Sequence, residues 1–246
     1  MQFVLLAAGL GSRLGALTAQ LPKALIPVGE ATLVSHVLRF AARLQPRQVI
    51  VVGGFGFPLV AAELERLRAA GHPAAKLPLE LVENTRFRDG NLLSLLAARP
   101  RIDGEFVLCN VDHIYRPAIA EVVRPESSEV TAFIDTDRTL GADDMKVERD
   151  QAGRVHRIAK TLTTFDCGYV GMTRVPGQAL ERYFAMADRA LGEEGPAIHV
   201  ERVLARLAET PSPPVCRDIS GHGWLEVDTP DERAHAEEAL RAPGWE

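Results

Sequence analysis

The sequence contains little cysteine and no cysteine pair at metal-binding spacing. Its three cysteines, Cys109, Cys167 and Cys216, lie far apart, and none belongs to a CxxC motif. Neither a zinc site nor a disulfide framework is therefore predicted, and a reduced, cytoplasmic setting is expected. The seven histidines show no HExxH spacing, which argues against a zinc hydrolase.

A basic excess and long apolar runs are also missing. The formal net charge is −5, whereas nucleic-acid-binding proteins usually carry a basic surplus, so no nucleic-acid partner is expected. The first apolar run, FVLLAAGLG, is too short to span a membrane and has no basic segment before it. Apolar residues nevertheless make up 46% of the chain, which is typical of a protein that buries a core.

Short apolar segments alternate with helical patterns through the first half of the chain. The segments QFVLLAA, QVIVVGG, LELVEN and EFVLCNVD predict strands, and TLVSHVLRFAARL, LVAAELERLRAAG and NLLSLLAAR predict helices between them. Strands that are apolar throughout are typical of a mostly parallel sheet with helices on both faces. From about residue 129, EVTAFID, MKVERDQAGRVHRIAK and FDCGYVGM predict an antiparallel or mixed continuation.

The glycine-rich stretch AAGLGSRLG follows the first predicted strand. No GxxxxGK[ST] motif occurs, which excludes a P-loop, and the glycines are spaced GxGxxxG rather than GxGxxG. The second strand also ends without the acidic residue that a dinucleotide-binding fold uses on a ribose. The loop instead contains Arg13, and Lys23 follows ten residues later. Glycines that admit phosphates, together with two cations that neutralise them, suit a nucleoside triphosphate.

With its neighbours, this loop resembles a known signature. LAAGLGSRLGALTAQLPKALIPVG is similar to the LAAGxGxRL and PK motifs of the sugar-nucleotide nucleotidyltransferases, a pyrophosphorylase-like family. CNVDHIY, DMKVERDQAGRVHRIAKTLTTFDCG and WLEVDTPDERAHAEEAL resemble segments of inositol-1-phosphate cytidylyltransferases and related small cytidylyltransferases.

The resemblance implies a three-layer, Rossmann-like α/β fold of the nucleotide-diphospho-sugar transferase type. A single domain, residues 1–246, is expected, with a nucleotide-binding half (1–128) and an acceptor-binding half (129–246). The implied reaction moves a nucleotidyl group from a nucleoside triphosphate, with CTP favoured, to a phosphorylated polyol or small alcohol such as inositol 1-phosphate. Pyrophosphate is the expected leaving product.

Two aspartates are the candidate metal ligands. Asp112 ends an apolar strand, where an open α/β sheet places its ligands, and Asp228 ends the late strand WLEVD. Bringing two phosphates together requires a divalent cation, expected to be Mg²⁺, which favours one or two carboxylates plus phosphate oxygens and water. Asp228 has a structural alternative, because it precedes a predicted capping box of Thr229, Pro230 and Glu232.

The expected nucleotide contacts come from the first loop and from segments after the third strand. They are Ala7, Ala8, Gly9, Gly11, Ser12, Arg13, Lys23, Glu83, Gly90 and Asn91. Arg13 and Lys23 are also catalytic candidates, Arg13 on the β- and γ-phosphates and Lys23 on charge that develops around the α-phosphorus. For Asn91 the alternative is the N-cap of the helix that follows it.

Lysine is scarce, which draws attention to two lysines of the second half. Only four of the 28 basic residues are lysines, and a lysine among arginines can mark a site that needs a compact charge. Lys146 and Lys160 are the expected partners of the acceptor's phosphate, with Lys146 the third catalytic candidate. Solvated surface lysines are the alternative.

The remaining acceptor candidates are His113, Tyr115 and Asp166. His113 and Tyr115 flank Asp112 and are expected either to line the acceptor site or to fill the cleft wall. Asp166 is expected to accept hydrogen bonds from a polyol, or to pair with an amine on the acceptor.

Several functions stay open at this stage. They are a sugar-1-phosphate uridylyl-, thymidylyl- or guanylyltransferase, a choline-phosphate or phosphonate cytidylyltransferase, and a nucleotide-sensing regulatory subunit. The expected partners are a nucleoside triphosphate and a phosphorylated small-molecule acceptor, and a homodimer is an open alternative.

Overall fold

The computed structural model describes residues 1–245. Its strands are β1 (Gln2–Ala7), β2 (Pro27–Val28), β3 (Ala31–Thr32), β4 (Gln48–Gly53), β5 (Leu79–Glu83), β6 (Phe106–Asn110), β7 (His113–Tyr115), β8 (Thr131–Asp135), β9 (Lys146–Arg149), β10 (Val155–Ala159), β11 (Cys167–Val175), β12 (Val215–Asp218) and β13 (Trp224–Glu226). Its α-helices are α1 (Leu33–Leu44), α2 (Phe57–Ala69), α3 (Leu92–Ala98), α4 (Ile119–Val123), α5 (Leu180–Glu194), α6 (Glu201–Ala208) and α7 (Pro230–Ala239).

One nine-stranded sheet contains strands from both halves of the chain. In the first half β1 lies between β4 and β6, parallel to both, and β5 continues the parallel set beside β4. In the second half β11 runs antiparallel to β6, β8 and β9, while β12 runs parallel to β8. The parallel first half and the mixed continuation predicted from the apolar segments are both confirmed.

Alternate residues of β1 supply two separate cores. Phe3 and Leu5 belong to the core on one face of the sheet, with helices α1, α2, α4 and α7. Val4 and Leu6 belong to the core on the other face, with α3, α5 and α6. Because successive side chains of a strand point to opposite faces, a strand that is apolar throughout requires cover on both sides. This accounts for the three-layer α/β fold, which is confirmed.

The capping box predicted for the last helix is present. The Thr229 hydroxyl accepts a hydrogen bond from the Glu232 backbone N–H, and the Glu232 carboxylate accepts one from the Thr229 N–H at 3.0 Å. The same carboxylate accepts the Asp228 N–H at 2.8 Å. The cap therefore fixes the backbone of Asp228 and leaves its side chain available to the site.

A small second sheet was not predicted from the sequence. Strands β7 and β13 pair antiparallel, with His113 opposite Glu226 and Tyr115 opposite Trp224. Asp112 directly precedes β7, and Asp228 is the second residue after β13. The Val227 N–H donates to the Asp112 carbonyl at 2.9 Å. This pairing brings the two aspartates together. Across residues 1–245, no helix has both the length and the apolar character that a membrane crossing requires.

Candidate active site

A cavity of about 400 Å³ opens at the carboxyl ends of β1 and β6. The loop after β1, the segment 87–94 after β5, the loop 143–145 before β9, and residues of β7 and β13 line it. Open α/β sheets place their ligands outside the carboxyl ends of their strands, so the position is the one expected for a binding site.

At the floor of the cavity, Lys23 joins the two candidate metal ligands. Its side chain is buried, and its Nζ lies 2.7 Å from Asp112 Oδ2 and contacts Asp228 Oδ1. Arg13 pairs with the other oxygen of Asp228, and its Nη1 lies 3.5 Å from Asp143 on the opposite lip. Two carboxylates and two cations thus meet at one point.

The glycine loop explains how Lys23 reaches this position. Gly11 has φ +67°, a left-handed conformation, and its carbonyl accepts a hydrogen bond from the Thr18 hydroxyl at 2.8 Å. A Cβ at Gly11 would lie 2.9 Å from the Lys23 Cβ. Only glycine combines this backbone conformation with this approach, so the first loop and the lysine segment pack directly on each other.

Asp112 is held as a carboxylate despite its burial. Burial alone would raise the pKa of Asp112, but Lys23 and His113 more than offset that effect and hold the pKa well below its usual range. His113 Nδ1 lies 2.6 Å from Asp112 Oδ1. A carboxylate must be deprotonated to bind a divalent metal ion, and Asp112 is held in that form.

His113 is fixed by its neighbours on every side. Its ring stacks on Tyr115 at 5.9 Å and on Trp224 at 5.3 Å between centroids. Gly171 has φ +68°, and a Cβ there would lie 2.6 Å from the His113 ring. These contacts prevent the ring from rotating, so its hydrogen bond keeps the Asp112 carboxylate oriented toward Lys23.

The two aspartates fit a magnesium site. Both place an oxygen against the same cationic atom, Lys23 Nζ, so they converge on one position for a cation. Within residues 1–245, no group of three or more His, Cys, Asp or Glu side chains is arranged to hold a metal. Mg²⁺ needs only one or two protein carboxylates when phosphate oxygens and water complete its shell.

Most of the predicted nucleotide contacts line the cavity. They are Ala8, Gly9, Gly11, Ser12, Arg13, Lys23 and Asn91. Three lie outside the lining: Ala7 is buried in β1, Glu83 is exposed at the end of β5, and Gly90 is buried. Asn91 stands at the start of α3, but its side chain accepts the Val200 N–H at 2.7 Å and does not cap that helix.

Gly90 instead brings a distant segment to the cavity. Its N–H donates to the Pro196 carbonyl at 2.8 Å, and a Cβ at this position would lie only 1.7 Å from the Ile198 carbonyl oxygen. Any larger residue would push the segment away. His199 and Glu201, which follow Ile198, consequently line the cavity.

Of the predicted acceptor residues, His113 and Lys160 line the cavity. Lys146 does not, because its buried Nζ donates to backbone carbonyls, among them Gly141 at 2.6 Å and Lys160 at 2.9 Å. It therefore ties the loop before β9 to the end of β10.

The other two predicted acceptor residues also lie away from the cavity. Tyr115 is buried and donates its hydroxyl to the Val170 carbonyl at 2.7 Å, which corresponds to the wall-filling alternative. The carboxylate of Asp166 accepts hydrogen bonds from the backbone N–H of Arg149, at 2.8 Å, and from the Arg149 side chain. Burial of Asp166 opposes ionisation, but these bonds from Arg149 hold its pKa below the usual range.

Several lining residues were not singled out in the sequence. They are Asp143, Asp144, His199, Glu201 and Glu226. Glu226 alone had a local signal, since it stands two residues before Asp228 in the predicted strand WLEVD, where alternate residues share a face. The others reach the cavity through long-range packing.

Residues 3–141 match the family model of the MobA-like NTP transferase domain. The chain belongs to this family. The nucleotidyltransferase resemblance read from the sequence is thereby confirmed, and its relatives and structural neighbours are nucleotidyltransferases and cytidylyltransferases.

Curated relatives include a bifunctional IPC transferase and DIPP synthase from Rubrobacter xylanophilus. It is 33% identical over 98% of this chain and 51% of its own length, so the chain spans about half of that relative. Among solved structures, the inositol-1-phosphate CTP transferase from T. maritima superposes with a TM-score of 0.80 at 17% identity, covering 98% of this chain and 96% of that one. The CTP:phosphocholine cytidylyltransferase from Streptococcus pneumoniae gives 0.75 at 18% identity, covering 97% and 98%. At these identities the two structures show the shared fold.

Proposed function

We propose that this chain transfers a cytidylyl group from CTP to a phosphorylated polyol such as inositol 1-phosphate, with Mg²⁺, and releases pyrophosphate. The observation that carries the proposal is the convergence of Asp112 and Asp228 on Lys23 Nζ, with Arg13 on the same cluster. This cluster supplies paired carboxylates for a metal and paired cations for phosphates within one cavity.

Asp112 and Asp228 would hold the magnesium ion. NTP transferases of this family generally use a divalent metal. When bound, the ion would neutralise charge on the triphosphate and polarise the α-phosphorus. His113 keeps the Asp112 carboxylate oriented, and the cap on α7 keeps the Asp228 backbone in place.

The two cations have separate tasks. Lys23 is buried beside the two carboxylates that would hold the metal. Its charge would therefore lie close to the α-phosphate, where negative charge increases as the acceptor oxygen attacks. Arg13 is about half exposed and reaches the opposite lip, which suits a grip on the leaving pyrophosphate. The acceptor phosphate is already an anion at neutral pH, so no general base is required.

The choice of CTP and of a polyol phosphate is supported by the names of the relatives. The Rubrobacter relative is an IPC transferase, and the T. maritima structure is an inositol-1-phosphate CTP transferase. The phosphocholine enzyme of Streptococcus pneumoniae keeps an aminated acceptor as the second candidate.

A pyrophosphate-release screen tests the proposal. Four nucleoside triphosphates are each combined with inositol 1-phosphate, glucose 1-phosphate, glycerol phosphate and choline phosphate, with and without Mg²⁺. We expect release with CTP and a polyol phosphate, and none when Mg²⁺ is chelated. Release restricted to UTP and a sugar phosphate would reject the proposed substrates, and no release with any pair would reject the activity.

A further inference from the structure

The second half of the chain contributes charged side chains to one side of the cavity, and these would select the acceptor. In the sheet, β5 and β9 lie on opposite sides of β1 and β6, so the segment 87–94 and the loop 143–145 line opposite ends of the cavity. The predicted nucleotide contacts that line the cavity come from the loop after β1, from Lys23, and from Asn91 at the first end. Asp144 and Glu226 line the cavity toward the second end, together with Lys160.

Arg138 stands behind these two carboxylates and contacts both. It lies in the loop after β8, with Nη1 3.3 Å from Glu226 Oε2 and Nη2 3.8 Å from Asp144 Oδ1. Arg138 does not itself line the cavity. Its influence on a bound molecule therefore passes through Asp144 and Glu226.

The position of Arg138 is fixed by stacking. Its guanidinium lies over the Trp224 ring at 4.7 Å from the centroid, and Trp224 Nε1–H donates to the carboxylate of Asp135 at 2.6 Å. Trp224 also stacks on His113. The indole is thus already engaged by a cation and an imidazole, so it does not offer a free aromatic face of the kind that holds quaternary ammonium groups.

The hydrogen-bonding capacity of the two carboxylates is partly used. Asp144 Oδ2 accepts the Gly141 N–H at 2.6 Å, and Glu226 Oε2 faces Arg138. Within the described residues, Glu226 Oε1 has no hydrogen-bond partner. An oxygen of a carboxylate that is already paired with a guanidinium still accepts a hydroxyl hydrogen, but it gains less from a second cation.

We propose that Arg138 sets the acceptor preference, because its charge compensates Glu226 and Asp144 and so favours neutral hydroxyl donors over acceptors that carry an ammonium group. This inference rests on the proposed cytidylyl transfer and adds the residue that selects the acceptor's organic part. Arg138 acts here as a positioning and charge-compensating residue. An ammonium group bound at Glu226 would be repelled by the guanidinium, and Lys160 adds to the repulsion.

The test compares acceptor preference between variants. The ratio of kcat/KM for inositol 1-phosphate to kcat/KM for choline phosphate and 2-aminoethyl phosphate is measured for the wild type, Arg138→Met and Arg138→Lys. We expect the wild type to prefer the polyol, and Arg138→Met to shift the ratio roughly tenfold toward the amines, because the positive charge that compensates Glu226 and Asp144 is lost. Arg138→Lys should keep the wild-type preference, and adding Glu226→Gln to Arg138→Met should restore it.

The outcomes separate this inference from the function it rests on. If no acceptor is turned over with any nucleoside triphosphate, the proposed function fails. In one outcome the wild type uses polyol phosphates, but Arg138→Met lowers kcat/KM equally for both acceptor classes; in another, the wild type prefers the amines. Either outcome overturns the assignment to Arg138 and leaves the transferase activity standing. Should Arg138→Met not fold, Arg138→Gln, which keeps hydrogen-bond donors without charge, replaces it.

Discussion

Lys23 and Asp112 form a largely buried ion pair, with Nζ 2.7 Å from Oδ2, although 89 positions separate them in the sequence. The same Nζ contacts Asp228, so one lysine bridges both candidate metal ligands, and Arg13 supplies the second positive charge of the cluster. A magnesium ion held by these carboxylates would take over part of that neutralisation and would free the lysine for the phosphates. Before the substrate binds, the ion pairs satisfy the charges of the cluster.

Replacing Asp112 by Asn should remove most turnover and leave the fold intact. Asn lacks the charge that a bridging ligand supplies to the metal, which is worth more than about a hundredfold in rate. Lys23 keeps Asp228 as a partner, so it is not left as an unpaired buried charge. Pyrophosphate release at saturating Mg²⁺ measures the effect, and a thermal melt checks the fold. A near-wild-type rate would contradict the metal assignment.

Replacing Lys23 by Ala should lower kcat more than it raises the KM for the triphosphate. The lysine is expected to stabilise charge that increases only in the transition state, so its loss should cost at least about a hundredfold in kcat. Lys76→Ala is the matched control, because Lys76 lies in the turn Pro73–Lys76, outside the cavity lining. An unchanged kcat with only a raised KM would show that Lys23 binds the ground state alone.

The sequence was sufficient to predict the framework of the fold. The apolar runs predicted the parallel strands, because a strand that is covered on both faces consists almost entirely of apolar residues. The last helix was located from Thr229 and Glu232, because a capping box is a local signal. The two aspartates were predicted as metal ligands because each ends an apolar segment, CNVD and WLEVD. The β7–β13 pairing that brings them together was not predicted.

The acceptor side was not predictable in the same way. The environment of Lys146 depends on where the backbone of residues 141–144 and Lys160 folds, which no local pattern encodes. Asp166 is paired with Arg149 across neighbouring strands, a consequence of register. His199 reaches the cavity through the contact of Gly90 with Ile198. These are tertiary contacts between distant segments, and composition or spacing within one segment contains no information about them.

Replacing Lys146 by Met should raise the KM for the acceptor more than that for the triphosphate. Its ammonium anchors the carbonyls of the loop that leads into Asp143 and Asp144 and of Lys160, which line the acceptor end of the cavity. Losing a charged donor that bonds several backbone carbonyls should also cost about 1–3 kcal/mol of unfolding free energy. Steady-state kinetics in each substrate and a urea titration measure the two effects.

Lys160→Met is the matched comparison for Lys146. Lys160 lines the cavity, so we expect its side chain to contact the acceptor directly. We expect its loss to lower kcat/KM for the acceptor without the loss of unfolding free energy. If Lys146→Met leaves stability unchanged and abolishes turnover, Lys146 contacts the substrate and the anchoring role is wrong.

The free energy of unfolding should fall on mild acidification because of two buried histidines, His36 in α1 and His72 just before the turn Pro73–Lys76. Burial lowers the pKa of His36 and of His72 below the usual value, and Arg39 lowers both further. His72 Nδ1 accepts the Ala74 N–H at 3.1 Å, a bond that is lost on protonation of that nitrogen. In the unfolded chain both histidines titrate near their ordinary pKa, so below about pH 6.5 the unfolded state binds more protons than the folded state.

Stability should therefore be fully present above that pH and decrease below it, by up to about 1.4 kcal/mol per pH unit for each histidine, until the folded-state pKa is passed. His72→Asn keeps a side-chain acceptor for Ala74 but does not titrate, so the loss of stability between pH 7 and pH 5.5 should shrink in this variant. His235→Asn, on the exposed face of α7, is the control and should leave the loss unchanged. Urea midpoints followed by tryptophan fluorescence at the two pH values measure the difference. A wild-type stability that is constant over this range, or a loss of equal size in all three proteins, would show that the buried histidines are not the groups that link folding to pH.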